Sequence, residues 1–257
     1  MPKTDRCLIV AAHPDDETVG AGIWMKRRGP QGLTLLHITD GSPRDMEDAG
    51  AAGYFSREEY ANARRQELYE ALGMAGIRRE QFRQLPFVDK EAYLHLPEIV
   101  DALSVLAGEL EPELILSPAY EGGHPDHDSA AFAVAMARLK TGRKFRHLEY
   151  RLYHAGPDGG FESEDFLPFG QVRAKVLSFT PSETREKSRM LESFGTQRRT
   201  LAQFCSGNEQ FREAPAYDFT RAPHQGRLLY EQRGWGITGE QWRSKAREVL
   251  DAALARS

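Results

Sequence analysis

Short, unbroken apolar runs alternate with longer stretches of helical period, the pattern of a parallel sheet whose strands are covered on both faces. Cys7-Leu8-Ile9-Val10-Ala11, Leu33-Thr34-Leu35-Leu36-His37-Ile38 and Leu114-Ile115-Leu116 are the clearest runs, and residues 82–87 read as a further short strand. Between them the period predicts a helix over 18–28 closed by Gly29-Pro30, and an Ala-rich helix over 129–139. Ser56-Arg57-Glu58-Glu59 is a capping box that opens a helix over about 57–72, stopped at Gly73. Ile99, Leu103, Leu106 and Leu110 form the stripe of a helix over 96–110, ended by Pro112. Further along, 147–153 and 174–180 read as strands and 182–197 as a polar helix opened by Ser-Glu-Thr. The segment 206–236 reads as aperiodic surface loops, and 238–255 as a closing helix. The order strand, helix, strand predicts an α/β fold, a mostly parallel sheet with helices on both faces.

Polar residues collect where two of these runs stop. The first run ends in Ala12-His13-Pro14-Asp15-Asp16-Glu17 and the later one leads into His124-Pro125-Asp126-His127. In a doubly wound sheet both strands can lie at the topological switch point, which brings their loops to one crevice. That crevice offers His13, His124 and His127 with Asp15, Asp16, Glu17, Asp126 and Asp128 close by. About three N or O ligands with a position left for water is the catalytic zinc pattern, and neither cluster holds a cysteine for a closed thiolate site. His13 and Asp16 stand three apart on a tight turn, so both can face one ion while Asp15 points elsewhere and is free to take a proton. In the second cluster one histidine ligates and the other faces substrate, with Asp126 available to fix a tautomer; spacing alone leaves open which is which. Glu17 is expected to be no more than a favourable charge in the first turn of a helix.

Composition narrows the partners. The 257 residues carry a net charge of −4 with 40% hydrophobic and 28% charged residues, an ordinary globular balance. The basic pairs Arg64-Arg65, Arg78-Arg79 and Arg198-Arg199 each sit among acidic residues, so no nucleic acid is expected. The only cysteines are Cys7 and Cys205, which argues against a disulfide framework and for a reducing compartment. The first apolar run is too short for a signal-peptide core or membrane span, and a cytoplasmic protein with no membrane span is expected. Nothing divides the chain, so it reads as one domain over 1–257, with a core over about 5–180 and the segment 181–257 packed on it. Gly20-Ala21-Gly22 is a fragment of a dinucleotide fingerprint inside a helix and reads as close helix packing; His95, His147, His154 and His224 read as surface or locally satisfied residues.

The two clusters together resemble the signatures of the PIG-L/LmbE family of zinc-dependent de-N-acetylases, which act on N-acetylglucosaminyl compounds. Thr39-Asp40-Gly41, Arg64-Arg65-Gln66-Glu67-Leu68, Ala71-Leu72-Gly73 and Glu111-Pro112-Glu113-Leu114-Ile115-Leu116 extend the likeness over about the first 140 residues, and Lys187 to Gln197 resembles the family's later helix. The resemblance implies a Rossmann-like α/β domain without a dinucleotide site. It implies His13, Asp16 and His127 as zinc ligands, with Fe2+ or another divalent ion also accepted by such a set, and Asp15 as general base. His124 is then the residue that stabilises the oxyanion or protonates the leaving amine, supported by Asp126.

A sugar needs polar and aromatic walls. Arg44 in the long loop 40–54, Tyr120 and Glu121 are candidates, and the resemblance adds Arg64; Gly122 stands where a substrate-contacting tyrosine would precede the second cluster. The function expected is metal-dependent removal of an N-acetyl group from an acetamido sugar or glycoconjugate, with release of acetate. The alternatives are an amidase of the same family acting on a larger acyl or thiol conjugate, and a non-catalytic sugar-binding domain. A homo-oligomer is compatible with all three.

Overall fold

A computed structural model describes residues 6–204 and 207–255, so Cys205 lies outside the described residues. In chain order the elements are β1 (Cys7–Ala11), α1 (Asp16–Arg28), β2 (Leu33–Thr39), α2 (Glu47–Ala51), α3 (Arg57–Met74), β3 (Phe82–Phe87), α4 (Leu96–Leu110), β4 (Leu114–Pro118), α5 (Pro125–Thr141) and β5 (Arg146–Tyr150). There follow β6 (His154–Ala155), β7 (Phe161–Glu162), β8 (Lys175–Ser178), α6 (Pro181–Glu192), α7 (Arg198–Leu201), β9 (Asn208–Glu213), α8 (Leu229–Gln232) and α9 (Gly239–Leu254). Seven strands form one sheet in the order β3-β2-β1-β4-β5-β9-β8, the first five pairing in parallel and β9 pairing antiparallel with both β5 and β8.

Alternation of side chains along the strands divides the core into two layers. Leu8, Val10, Leu36, Ile38 and Ile115 pack under α4, α5 and α9, with Trp242 and Phe132 among them. Cys7, Ile9, Leu33, Leu35, Leu114 and Leu116 pack under α1, α3 and α6, with Met190 and Phe194. The strands β1 and β4 lie side by side, with Cys7 opposite Leu114 and Ile9 opposite Leu116, so the two polar clusters leave the sheet at one switch point.

Several boundaries differ from those the sequence predicts. The loop after β2 contains the short α2, and the residues from 207 to 236 hold β9 and α8 rather than loops alone. The strand β9, Asn-Glu-Gln-Phe-Arg-Glu, carries no apolar alternation because its buried polar side chains are paired: Glu209 with Lys187, and Arg212 with Glu121 and Glu149. The helix α6 starts one residue earlier than expected, with Thr180 rather than Ser182 as its cap: the Thr180 hydroxyl accepts from Glu183 N and the Glu183 carboxylate accepts from Thr180 N. Gly20 lies flat on Tyr150, where a Cβ would meet ring carbon Cδ2 at 2.1 Å, so the close packing expected of the Gly-Ala-Gly stretch is present. Among the described residues no helix is long and apolar enough to cross a membrane.

Candidate metal centre

The turn between β1 and α1 folds around the carboxylate of Asp16. Its Oδ2 accepts from Ala12 N at 3.0 Å and His13 N at 2.8 Å, which fixes the carboxylate before any ligand binds. His127 Nε2 stands 3.1 Å from Asp16 Oδ1 and His13 Nδ1 stands 3.4 Å from Oδ2. One ligand atom from each of the three lies within 4.8 Å of the others, and all three residues are buried. Burial disfavours the Asp16 carboxylate, but His127 and His13 outweigh it and hold the group well below the usual carboxylate range. The donor set of two imidazoles and one carboxylate fits a divalent ion with open positions.

A second group of buried ligand types, His13, Asp89, His124 and Asp126, lies against the first. Hydrogen bonding sets it apart. His124 Nδ1 accepts from Asp126 N at 3.2 Å, so the neutral ring carries its proton on Nε2, which faces Asp89 Oδ1 at 3.6 Å. Burial, with His13 nearby, holds the His124 pKa well below normal and keeps the ring neutral. His13 Nε2 stands 3.1 Å from both Asp126 Oδ2 and Asp89 Oδ1. The Asp126 carboxylate is itself fixed by Lys90 N at 2.7 Å and Ala92 N at 3.1 Å. These atoms form a hydrogen-bonded rear wall that leaves His13 Nδ1 for an ion.

Asp126 supports His124 through its backbone amide, which donates to Nδ1 at 3.2 Å, while its carboxylate stands 3.9 Å from that ring and backs His13 at 3.1 Å, a second role the sequence reading did not include. Asp126→Asn is expected to weaken metal binding by roughly 10–100-fold, the usual effect of losing a partner behind a ligand. Competition with a chromogenic chelator measures it, and an unchanged metal affinity would return Asp126 to His124.

Asp15 caps α1 with φ 155°, ψ −29°, a backbone conformation that L-residues seldom adopt. Its Oδ2 accepts from Arg64 Nη2 at 2.8 Å. Burial pushes the Asp15 carboxyl up to about 7, with Asp16 adding to the effect and Arg64 opposing it. Arg64, on α3, also donates to Pro14 O at 3.3 Å and to Gly41 O. Gly41 has φ 68°, and a Cβ there would meet Pro14 Cδ at 2.6 Å and Arg64 Nη1 at 2.7 Å, so the guanidinium reaches Asp15 over bare backbone. Thr39 completes the stitch, its hydroxyl donating to Ala12 O at 2.8 Å. Glu17 is more than a favourable charge: it is fully buried and bonds His37 Nε2 on β2 at 2.9 Å.

These side chains open on a cavity of about 410 Å³ lined by His13, Asp15, Asp16, Arg64, Asp89 and His124 on one side. Its other walls come from Glu47 and Asp48 after β2, from Lys90, and from the second half of the chain, including Tyr153, Phe161, Phe204 and Trp235. Trp235 packs tilted against His124 with ring centroids 4.7 Å apart, and Tyr153 meets His127 edge-on at 5.2 Å. The sequence reading missed Asp89; its one signal is that it follows the end of β3, a strand two places from β1.

Three expected substrate contacts do not reach this cavity. Arg44 is exposed and paired with Glu91 at 2.6 Å. Tyr120 is buried between Tyr217, Phe219 and Trp242, and its hydroxyl donates to Arg221 O at 2.8 Å. Glu121 is buried under the sheet's antiparallel end, where Arg212 Nη2 reaches it at 3.0 Å and Leu167 N at 2.7 Å. Arg212 also serves Glu149 at 2.9 Å, so two buried carboxylates share one guanidinium. Burial pushes Glu121 and Glu149 each from 4.5 to about 7, against the pull of Arg212. A raised folded-state pKa favours the native protein at low pH, and that contribution is lost as pH rises from about 4.5 through about 7. Glu121→Gln is expected to flatten the fall in urea midpoint between about pH 5 and 7 relative to wild type. An identical pH slope in the variant would show that Glu121 stays ionised throughout.

The pattern of the family described as "GlcNAc-PI de-N-acetylase", PIG-L, matches residues 8–138, just over half of the chain and all of the ligand-bearing turns. The chain belongs to the PIG-L family. It is 29% identical over 132 residues to the probable N-acetyl-alpha-D-glucosaminyl L-malate deacetylase 2 of Bacillus cereus, 51% of this chain and 59% of that protein. The chain thus spans less than two thirds of the length of this curated relative. Among solved structures, the A40926 pseudoaglycone deacetylase Dbv21 superposes with a TM-score of 0.63 at 18% identity, over 81% of this chain and 96% of that one. The zinc inhibited form of teicoplanin deacetylase Orf2 gives 0.62 at 15%, over 83% and 99%. At these identities the superpositions establish the fold alone, over a larger share of the chain than the family-matched 8–138 stretch.

Proposed function

We propose that the chain hydrolyses the acetamide of an N-acetylglucosamine-type sugar or glycoconjugate, releasing acetate and a free amine. The observation that carries this is the convergence of three functions on one cavity: the His13, Asp16 and His127 ligand set, a carboxyl at Asp15 and a neutral N–H donor at His124. A binding module has no use for the second and third. Membership of the PIG-L family and the deacetylase named from Bacillus cereus support the same reaction class.

His13, Asp16 and His127 would hold a divalent ion, zinc by their N/O donor set, and that ion would supply Lewis-acid polarisation of the amide carbonyl and a water of lowered pKa. Asp15, anchored by Arg64, takes the proton of the attacking water. His124 Nε2–H donates to the oxygen on which negative charge develops, and Asp126 N holds that ring in the required tautomer. The proton is returned to the departing nitrogen, so water plus acetamide become acetate plus amine. Asp89 and Arg64, at the cavity floor, offer an acceptor and donors to ring hydroxyls, while Trp235, Phe161 and Phe204 supply apolar faces on which a sugar ring stacks.

An amine-release screen of N-acetyl sugars and their conjugates, run with the zinc-loaded protein and again after chelation, tests this reading. Release that is lost on chelation and recovered with zinc supports it. Tight sugar binding without turnover would replace it with a binding function.

A further inference from the structure

The helix that carries Asp16 is two half-helices. At Ala21 the backbone leaves the helical region, with φ −146° and ψ 16°. In an unbroken helix the amide of residue 23 would bond the carbonyl of residue 19. Here both groups are taken by a buried ion pair. Ile23 N and Trp24 N donate to the two oxygens of Glu209 at 2.8 Å each. Lys187 Nζ donates to Val19 O at 2.8 Å and to Glu209 Oε1 at 2.6 Å. Glu209 is 1% and Lys187 5% exposed, so water does not compete.

The charges suit the ends they meet, a carboxylate at the N-terminus of the second half and an ammonium at the C-terminus of the first. Stability alone does not call for such a pair, since a buried ion pair is often replaceable by apolar side chains of similar volume without loss. What this pair does is occupy the two backbone groups that would otherwise close the ladder. The first half-helix, short and bounded by this splice, bears Asp15 at its cap, Asp16 in its first turn and Val19 in the cavity wall. Lys187 on α6 and Glu209 on β9 both lie beyond the family-matched residues 8–138.

We propose that Lys187 and Glu209 are positioning residues, spliced between Val19 O and Ile23 N so that the first turn of α1 aims Asp15 and Asp16 at the metal position. This rests on the ligand assignment under Proposed function. Removing both charges, as in K187M/E209L, lets Ile23 N bond Val19 O and straightens the helix. The double variant is expected to unfold close to the wild-type temperature yet to bind zinc about tenfold or more weakly, the scale set by loss of a ligand's support, with a matching fall in kcat. The conservative variant E209Q, which retains one acceptor, is expected to fall between them and serves if the double variant does not fold.

The readout is the zinc dissociation constant, taken by chelator competition well below each variant's Tm, so that global unfolding does not contribute. Wild-type zinc affinity in either folded variant overturns the positioning role. Weakened affinity in a variant of wild-type Tm supports it, because a merely structural pair would move Tm and leave the zinc constant alone. A wild-type protein that takes up no zinc overturns the ligand assignment first, and this inference with it.

Discussion

Asp15→Asn is expected to lower kcat by about a hundredfold or more while zinc stays bound, the scale of a lost general base. The substitution is nearly isosteric, and Asn retains an acceptor for Arg64 Nη2, which Asp15 now engages at 2.8 Å. It removes only the capacity to take a proton at a buried carboxyl that Arg64 holds beside the metal position. Single-turnover acetate release, paired with metal analysis of the same sample, separates the two effects. Full activity in a zinc-loaded Asn variant would take the base role from Asp15.

Asp16→Ala acts on the ion itself. Asp16 receives Ala12 N and His13 N on one oxygen and faces His127 on the other, so its loss removes a ligand and also unfastens the turn that presents His13. Zinc affinity is expected to fall by more than the roughly 10–100-fold of a supporting residue, and turnover with it. Excess zinc restores little, because two imidazoles alone make a poor site. Isothermal titration of zinc into the metal-free variant checks this; affinity within about tenfold of wild type would mean that the ion sits elsewhere.

Much of this centre can be read directly from the residues because its parts are local. His13, Asp15 and Asp16 share one turn, His124 and His127 share another, and apolar runs before each identify the strands they leave. The switch point then brings the turns together by topology. The partner of the Asp126 carboxylate was not legible, since the nearby His124 is two residues away in sequence while His13, the ring it backs, is 113 away: the distances are 3.1 Å to His13 and 3.9 Å to His124. Tyr120 and Glu121 misled for a related reason. Standing beside the second cluster in sequence, they lie on the far side of its turn and are taken up by Trp242 and Arg212. The strand β9 escaped detection because burial there is carried by paired charges rather than by apolar residues, and a pattern of hydrophobic positions cannot register such a strand.

That same strand bears on how the chain can be divided. All of the proposed metal ligands fall within the first 127 residues, and a fragment ending after α5 would contain every one of them. It would not contain Glu209, Lys187 or the Trp235 wall, and its first helix would be free to close. Ligand set and substrate wall are therefore not separable modules. A second half exchanged from another family member must bring its own carboxylate and ammonium for the broken helix, or the graft alters the metal centre along with the specificity it was meant to change.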